Sequence, residues 1–239
     1  MSMQFGMSEF FPPIHREGRP FVFGGFAVAL LGFLLIGNIV GWLGLVFLGF
    51  CLFFFRDPDR YVPKQADAMI APSDGRICAV TKAPWPAELG DLGPAGGTCT
   101  RISVFLSVLD VHVNRAPCAG RIARIAYVPG TMVNANLDKA STDNERNLVA
   151  LERPDGSYVA FVQISGFVAR RIICDVEEGD RLEAGERFGI IRFGSRMDIY
   201  LPEGYAPTVS LGQRTLGGET ILAMPQDKAS STPMPAVRR

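Results

Sequence analysis

The sequence is organised around one stretch, Arg192-Phe193-Gly194-Ser195-Arg196-Met197-Asp198-Ile199-Tyr200-Leu201-Pro202. Its large apolar residues recur at every second position, and Arg192, Arg196 and Asp198 lie between them. Because successive side chains of a β-strand point to opposite faces, this alternation predicts a half-buried strand, with one buried and one solvent-facing side. Ser195 falls in phase with the buried side.

Gly194 and Ser195 form the unusual step in this strand. Glycine adopts backbone conformations that are closed to other residues, and a small hydroxyl side chain is an odd occupant of a face built from large hydrophobes. These residues alone leave two interpretations open. Either the peptide bond between them is strained and open to attack by the serine oxygen, or the pair forms a β-bulge whose hydroxyl bonds a neighbour.

Composition excludes several classes of protein. The 239 residues carry 24 basic and 24 acidic side chains, and the basic residues form no single run, so nothing supports nucleic-acid binding. The five cysteines are scattered and form no CxxC pair, which argues against a zinc site and against a disulfide framework. They are typical of buried thiols in a reducing compartment.

The N-terminal part of the chain is strongly apolar. Residues Phe21–Phe55 contain no charged side chain, and one straight helix of this length would span about 50 Å against a hydrocarbon core of about 30 Å. The segment therefore predicts two helices, roughly Phe21–Ile36 and Ile39–Phe55, with a turn at Gly37-Asn38. The glycines that would let these helices approach closely are Gly24, Gly25, Gly32, Gly37, Gly41, Gly44 and Gly49. The alternative is a hairpin buried in a soluble core, but no other segment could wrap it.

Basic residues flank this apolar segment on both sides. Arg16 and Arg19 precede it, and Arg56, Arg60 and Lys64 follow it. The positive-inside rule then places both ends in the cytoplasm. The sequence therefore predicts a hairpin that holds a cytoplasmic domain against the cytoplasmic membrane.

The rest of the chain is predicted to be mainly β, a barrel-sandwich-like domain of short antiparallel strands. The predicted division is a cytoplasmic segment 1–20, the hairpin 21–55, a β domain 56–224 and a disordered tail 225–239. Two acidic glycine turns, Glu177–Asp180 and Glu183–Glu186, resemble the hammerhead turns of biotinyl/lipoyl-type domains. The predicted strands are Arg76–Thr81, Thr98–Val108, Gly120–Val128, Leu148–Glu152, Tyr158–Ile164, Val168–Val176 and a pair within Thr208–Ala223; Thr131–Asn147 is predicted to be a surface loop.

Two further residues are candidates for chemistry together with Ser195. His112 follows a predicted strand, and Asp74 lies in a Ser-Asp-Gly turn. Each alone is more often structural, because turns favour Asp for local hydrogen bonding. Together the three supply a nucleophile, a base and an orienting carboxylate. The residues around Ser195 do not form a G-x-S-x-G elbow, which disfavours an α/β-hydrolase.

Four stretches carry a resemblance to a known family. They are Phe54-Phe55-Arg56-Asp57-Pro58, Ala71-Pro72-Ser73-Asp74-Gly75-Arg76, Asp110-Val111-His112-Val113-Asn114-Arg115-Ala116-Pro117 and Phe193-Gly194-Ser195-Arg196. In this order and spacing the chain resembles the short bacterial type of phosphatidylserine decarboxylase, from Phe21 to about Leu222. One departure concerns the third stretch: Arg115 stands where longer members have a second histidine, so the division of proton transfers between His112 and other groups is open.

The resemblance implies a pyruvoyl enzyme that matures by self-cleavage. Ser195, with its proton taken by His112 and His112 oriented by Asp74, would cleave the Gly194–Ser195 bond and become the pyruvoyl group. This zymogen would give fragments 1–194 and 195–239, paired as a heterodimer that could associate further. The pyruvoyl group would form a Schiff base with phosphatidylserine and release CO₂ and phosphatidylethanolamine, without metal or pyridoxal phosphate. Arg115 and Arg196 are the candidate ligands of the lipid phosphate.

Two alternatives from other classes remain at this point. The first is a membrane-anchored barrel-sandwich binding or adaptor module in which Ser195 is structural. The second is a membrane serine hydrolase that uses Ser195 and His112. In both of them the chain would stay intact.

Overall fold

The computed structural model describes residues 12–65, 67–94, 97–130, 144–166, 171–192 and 194–228. By its internal contacts the chain divides into two compact units, Met1–Asp59 and Arg60–Arg239. The first is helical and the second is mainly β. The predicted fold class, a β domain of short antiparallel strands preceded by an apolar helical hairpin, is therefore confirmed.

The first unit is a hairpin of two helices. Helix α1 (Arg19–Leu31) continues into a π-helical turn, Gly32–Ile36, and helix α2 spans Asn38–Phe54. Between them Gly37 has a φ of 143°, which an L side chain rarely adopts, so the turn predicted at Gly37-Asn38 is confirmed. Of the helical segments in the described ranges, only Arg16–Ile36 is long and apolar enough to cross a membrane, and the second helix is apolar but shorter.

Four of the seven glycines lie where the helices touch. A Cβ on Gly44 would lie 2.4 Å from the backbone nitrogen of Ala29, and one on Gly32 would lie 2.5 Å from that of Gly41. Gly25 and Gly41 also face the opposite helix, whereas Gly24, Gly37 and Gly49 have nothing within 4 Å. Small residues at four of the predicted positions therefore allow the close approach of the helices.

The two ends of the hairpin are joined by backbone contacts. Ile14 and Arg56 form an antiparallel bridge. The N–H of His15 donates to the carbonyl of Phe55 at 2.8 Å, and the N–H of Asp57 donates to the carbonyl of Pro13, also at 2.8 Å. The segments that enter and leave the hairpin are therefore held side by side.

The β unit contains an eight-stranded antiparallel sheet and two three-stranded sheets. The strand order of the large sheet is β13-β2-β3-β11-β7-β6-β5-β9, and the smaller sheets are β1-β14-β12 and β4-β10-β8. The strands are β1 Met69–Ile70, β2 Gly75–Pro84, β3 Thr98–Leu106, β4 Val113–Arg115, β5 Gly120–Val128, β6 Arg146–Glu152, β7 Tyr158–Ser165, β8 Ile172–Cys174, β9 Arg181–Leu182, β10 Arg187–Ile191, β11 Ser195–Tyr200, β12 Tyr205–Pro207, β13 Arg214–Thr215 and β14 Ile221–Pro225.

Strand β11 lies at the centre of the large sheet, and its two faces pack against different hydrophobic clusters. Met197 and Ile199 belong to the main core, which also contains Phe161 and Phe188. Tyr200 belongs to a second cluster around Trp85 and Leu89 on the other face. All six residues of β11 are buried. The prediction of a half-buried strand was therefore wrong, because alternation does not reveal that a second apolar layer covers the polar face.

Three of the predicted strands lie in the large sheet close to where the sequence placed them, but one predicted strand pair does not form. Strand β5 has the predicted bounds, and the predicted hairpin around Asp155-Gly156 is confirmed as β6–β7, each one or two residues longer. The predicted strand pair within Thr208–Ala223 was wrong. There, β13 pairs with β2, and β14 pairs with β1 and β12, because the segment between them packs against the Ser73-Asp74 turn.

Several predicted segments lie wholly or partly outside the described residues. They are the start of the cytoplasmic segment (1–11), most of the predicted loop (131–143), the start of the predicted strand at 168–176 and the tail from residue 229.

Candidate functional site

The site is built around a bend between two strands. The chain leaves β10 at Ile191 and enters β11 at Ser195, and Phe193 lies outside the described residues. Gly194 has a φ of 70°, in the left-handed region that glycine enters without strain. A Cβ on Gly194 would meet nothing within 4 Å. The glycine is therefore required by its backbone conformation, and not by crowding.

Ser195 lies directly after the bend and its side chain is fully buried. It has an exposed fraction of 0%, and its Oγ has no hydrogen-bond partner among the described residues. A buried hydroxyl without a partner costs about 1–3 kcal/mol. Among the described residues, the neighbour bond of the β-bulge interpretation is therefore not found.

His112 contacts the bend directly. Its Nδ1 lies 2.9 Å from the carbonyl oxygen of Asp110, and the N–H of Gly194 donates to its Nε2 at 3.3 Å. Since a carbonyl only accepts, Nδ1 carries the ring proton and Nε2 carries the lone pair. The neutral histidine therefore presents a basic nitrogen to the residue that precedes Ser195.

The carbonyl of Asp110 is held in place by a short turn. The Asp110 carboxylate accepts from the N–H and the hydroxyl of Ser107 at 2.9 and 2.7 Å, and from Arg214 at 3.0 Å. The N–H of Asp110 donates back to the carbonyl of Ser107. The sequence does not reveal this group, because a backbone carbonyl has no residue-type pattern.

Asp74 does not make the contact with His112 that the sequence predicted. Both its carboxylate oxygens accept from Nη2 of Arg60, at 2.9 and 2.8 Å, and Oδ1 also accepts from the N–H of Gly217 at 2.8 Å. Asp110 makes the Nδ1 contact instead. Asp74 thus joins its own turn to Arg60 and to the turn before β14.

The two candidate phosphate ligands are both buried. Arg115 donates to the carbonyl of Gly185 at 3.0 Å and is 5% exposed. Arg196 is 1% exposed and forms two 2.7 Å hydrogen bonds with the carboxylate of Asp198. It points to the face of β11 opposite Ser195. This geometry favours a structural role for Arg196, on the face of β11 that lies away from Ser195.

Ser195 has two cross-strand neighbours that sequence analysis missed. It pairs with Leu106 of β3 and with Ser165 of β7, on the face of the main core. Gln163, two residues before Ser165, joins two other buried polar side chains. Its Nε2 donates to Oδ1 of Asn114, and its Oε1 accepts from Nδ2 of Asn147, both at 2.9 Å. The only sequence signal was the presence of polar residues in apolar strands.

Burial shifts the pKa of two side chains elsewhere in the large sheet, Tyr200 of β11 and Cys78 of β2. It raises the pKa of the Tyr200 phenol, and the nearby Asp198 carboxylate raises this pKa further. Burial also raises the pKa of the Cys78 thiol. Both side chains therefore stay neutral near pH 7. Within the described ranges, no three His, Cys, Asp or Glu side chains are grouped as a metal site.

Comparison with known proteins gives a consistent result. Residues 47–223 match the family model described as phosphatidylserine decarboxylase. The chain is 55% identical to the phosphatidylserine decarboxylase proenzyme of Granulibacter bethesdensis, over 93% of this chain and 90% of that protein. It is 53% identical to the proenzyme of Ruegeria pomeroyi, over 90% and 96% of the two chains. The proenzyme of Cereibacter sphaeroides is 52% identical, over 91% and 92%.

Proposed function

Because the chain belongs to the phosphatidylserine decarboxylase family, we propose that it matures by cutting its own backbone between Gly194 and Ser195. Its function is the decarboxylation of phosphatidylserine to phosphatidylethanolamine, and the relatives' name, proenzyme, implies processing. The observation that carries the proposed cut is the arrangement of Ser195 and His112. A buried serine without a partner follows a left-handed glycine whose N–H contacts the basic nitrogen of a histidine.

The first step is attack by the Ser195 hydroxyl. Nε2 of His112 takes the hydroxyl proton while Oγ bonds to the carbonyl carbon of Gly194. The bond from this carbon to the nitrogen of residue 195 then breaks, and that nitrogen takes a proton. The result is an ester between Gly194 and the side chain of residue 195.

The second step breaks the chain. Loss of the Cα proton of residue 195 expels the ester oxygen from Cβ, which leaves a carboxylate on Gly194 and dehydroalanine at position 195. Its imine tautomer takes up water and releases ammonia. The products are fragment 1–194 and fragment 195–239, which begins with a pyruvoyl group.

The residues at the bend fit this group. The pyruvoyl group supplies a carbonyl that binds the substrate amine and accepts the electron pair left by CO₂. Its position at the start of β11, among fully buried residues, excludes bulk water. His112 is held by Asp110 with its Nε2 towards this position, and we propose that it also returns a proton to the substrate carbon.

The remaining roles concern the substrate and the membrane. We propose that Arg115 binds the lipid headgroup. We also propose that the Asp74–Arg60 pair holds the turn at Gly218 next to Arg115, since a Cβ on Gly218 would lie 3.0 Å from Arg115 and 3.3 Å from Arg60. The apolar hairpin keeps the enzyme at the bilayer that holds its substrate. We propose that its basic flanks keep the β domain on the cytoplasmic side, as the positive-inside rule predicts.

The test is the intact mass of the purified protein and of its Ser195→Ala variant under denaturing conditions. The unmodified protein should give two fragments split after Gly194, the small one lighter by one ammonia than a serine-ended peptide. Ser195→Ala should give one full-length chain that releases no CO₂ from phosphatidylserine. A full-length unmodified chain that reacts with a fluorophosphonate would instead support the serine hydrolase, and decarboxylation by Ser195→Ala would disprove the proposal.

A further inference from the structure

A second serine lies directly opposite Ser195. Ser165 ends β7 and is the cross-strand partner of Ser195 in the antiparallel ladder between β7 and β11. Side chains at such a pair point to the same face, with Cβ atoms about 4.5–5.5 Å apart. On the other side of Ser195 the partner is Leu106, which offers no polar atom.

Both hydroxyls are buried and have no hydrogen-bond partner among the described residues. Ser165 and Ser195 each have an exposed fraction of 0%. Neither oxygen is exposed to water, and a bond from the Ser165 hydroxyl to the Ser195 oxygen would give both a partner. If both serines turn their hydroxyls towards each other by rotation about χ1, two oxygens at this Cβ separation can reach the usual O–H···O distance of about 2.7–2.8 Å.

We propose that Ser165 is a positioning residue for the attack of Ser195 on Gly194. Its hydroxyl donates to Oγ of Ser195, so that the Ser195 proton is left for Nε2 of His112. A hydroxyl can donate once and accept twice, so Ser195 can hold both contacts together. The inference rests on the proposed self-cleavage and adds a residue to it.

The large sheet also supplies a matched control. Ser103 lies on β3, is 0% exposed and has an Oγ without a partner among the described residues. Its cross-strand partner is Asp198, so it faces the opposite side of the sheet from Ser195. Ser103→Ala removes the same group from the same sheet without touching the site.

The experiment is a time course of self-cleavage. The full-length chain is synthesised without cells in the presence of vesicles that contain phosphatidylserine, and the uncleaved fraction is followed as a function of pH. On the plateau of the pH–rate profile, we expect Ser165→Ala to cleave about tenfold more slowly, because the loss of one oriented hydrogen bond has an effect of about this size. The pH at which the cleavage rate reaches half its plateau value should stay unchanged, because His112 remains the base. Ser103→Ala should cleave at the unmodified rate.

The outcomes separate the two proposals. If the unmodified chain is not cut after Gly194, the proposed self-cleavage fails. If it is cut and Ser165→Ala is cut equally fast, only the role of Ser165 fails. Ser165→Cys, of similar size and with a weaker donor, should give an intermediate rate; a rate at or below that of Ser165→Ala would also overturn the inference.

Discussion

At the scale of single residues, the buried pair Arg196–Asp198 is expected to have a large effect on stability. Both side chains are about 1% exposed, and two 2.7 Å hydrogen bonds join them. Removing one partner of a buried pair leaves an uncompensated charge and typically costs about 3–5 kcal/mol, whereas replacing both by apolar residues is often neutral. The pair therefore makes a charged face of β11 compatible with complete burial.

We expect Arg196→Met to lower the free energy of unfolding by about 3–5 kcal/mol. Arg196→Met with Asp198→Leu should recover only part of this loss, because Arg101, whose Nε lies 3.9 Å from the Asp198 carboxylate, then loses that contact. Denaturant unfolding of the detergent-solubilised protein in a Ser195→Ala background gives this comparison on one uncut chain.

The double variant with Ser195 intact also tests the predicted headgroup role of Arg196. A large rise in its KM for phosphatidylserine, with stability partly recovered, would show that Arg196 binds lipid after all.

Residue identities drew attention to part of the candidate site, and the family resemblance supplied the roles of these residues. Gly194 beside Ser195 was visible because glycine and serine are rare choices in an apolar strand, and His112 because few histidines exist. The partners of these residues were not visible. The Asp110 group that holds His112 is a backbone carbonyl, and the bond from Asp74 to Arg60 joins two turns that only the folded chain brings together.

At the scale of elements, the helical hairpin depends on backbone contact between α1 and α2. A Cβ on Gly44 would lie 2.4 Å from the backbone nitrogen of Ala29, so a larger side chain must separate the helices. Overpacking of this kind costs about 1–3 kcal/mol. Gly49 lies in the same helix with nothing within 4 Å.

We therefore expect Gly44→Leu to lower the thermal unfolding temperature of the hairpin in detergent, and Gly49→Leu to leave it nearly unchanged. Loss of helical circular dichroism on heating measures both variants, and both changes introduce the same side chain into the same helix. Equal effects of the two substitutions would mean that helix propensity, and not the contact with α1, determines stability.

Elements defined by nearby residues were predicted well, and those defined by distant ones were not. The bounds of β5 and the turn between α1 and α2 follow from local alternation and from one glycine. The pairing of β13 with β2 and of β14 with β1 joins segments far apart in sequence, which no local pattern encodes.

At the scale of the whole molecule, the bridge between Ile14 and Arg56 holds both ends of the hairpin side by side. Together with the basic flanks, it leads us to expect residues 12–19 and 55–60 on the cytoplasmic side and the turn at Asn38 towards the other side. Asn38 and Asp59 are both exposed.

We expect a membrane-impermeant maleimide to label Asp59→Cys in inverted vesicles but not in right-side-out vesicles. The unmodified protein is the control for the native thiols: Cys78 and Cys174 are half-buried, whereas burial raises the pKa of Cys99 to about 11 and that of Cys118 to about 12. Asn38→Cys should not be labelled more strongly in inverted vesicles than in right-side-out vesicles. Labelling of Asp59→Cys only from the outer side would reverse the proposed orientation.

The central place of β11 determines what a cut before Ser195 can do to the molecule. This strand pairs along six residues with β3 and along six with β7, and the chain after it supplies β12, β13 and β14 to the same unit. The smaller fragment would be interleaved with the larger one and could not dissociate without unfolding. The activity of the cleaved enzyme should therefore be insensitive to dilution. Separately produced fragments 1–194 and 195–239 should not restore this activity when they are simply mixed.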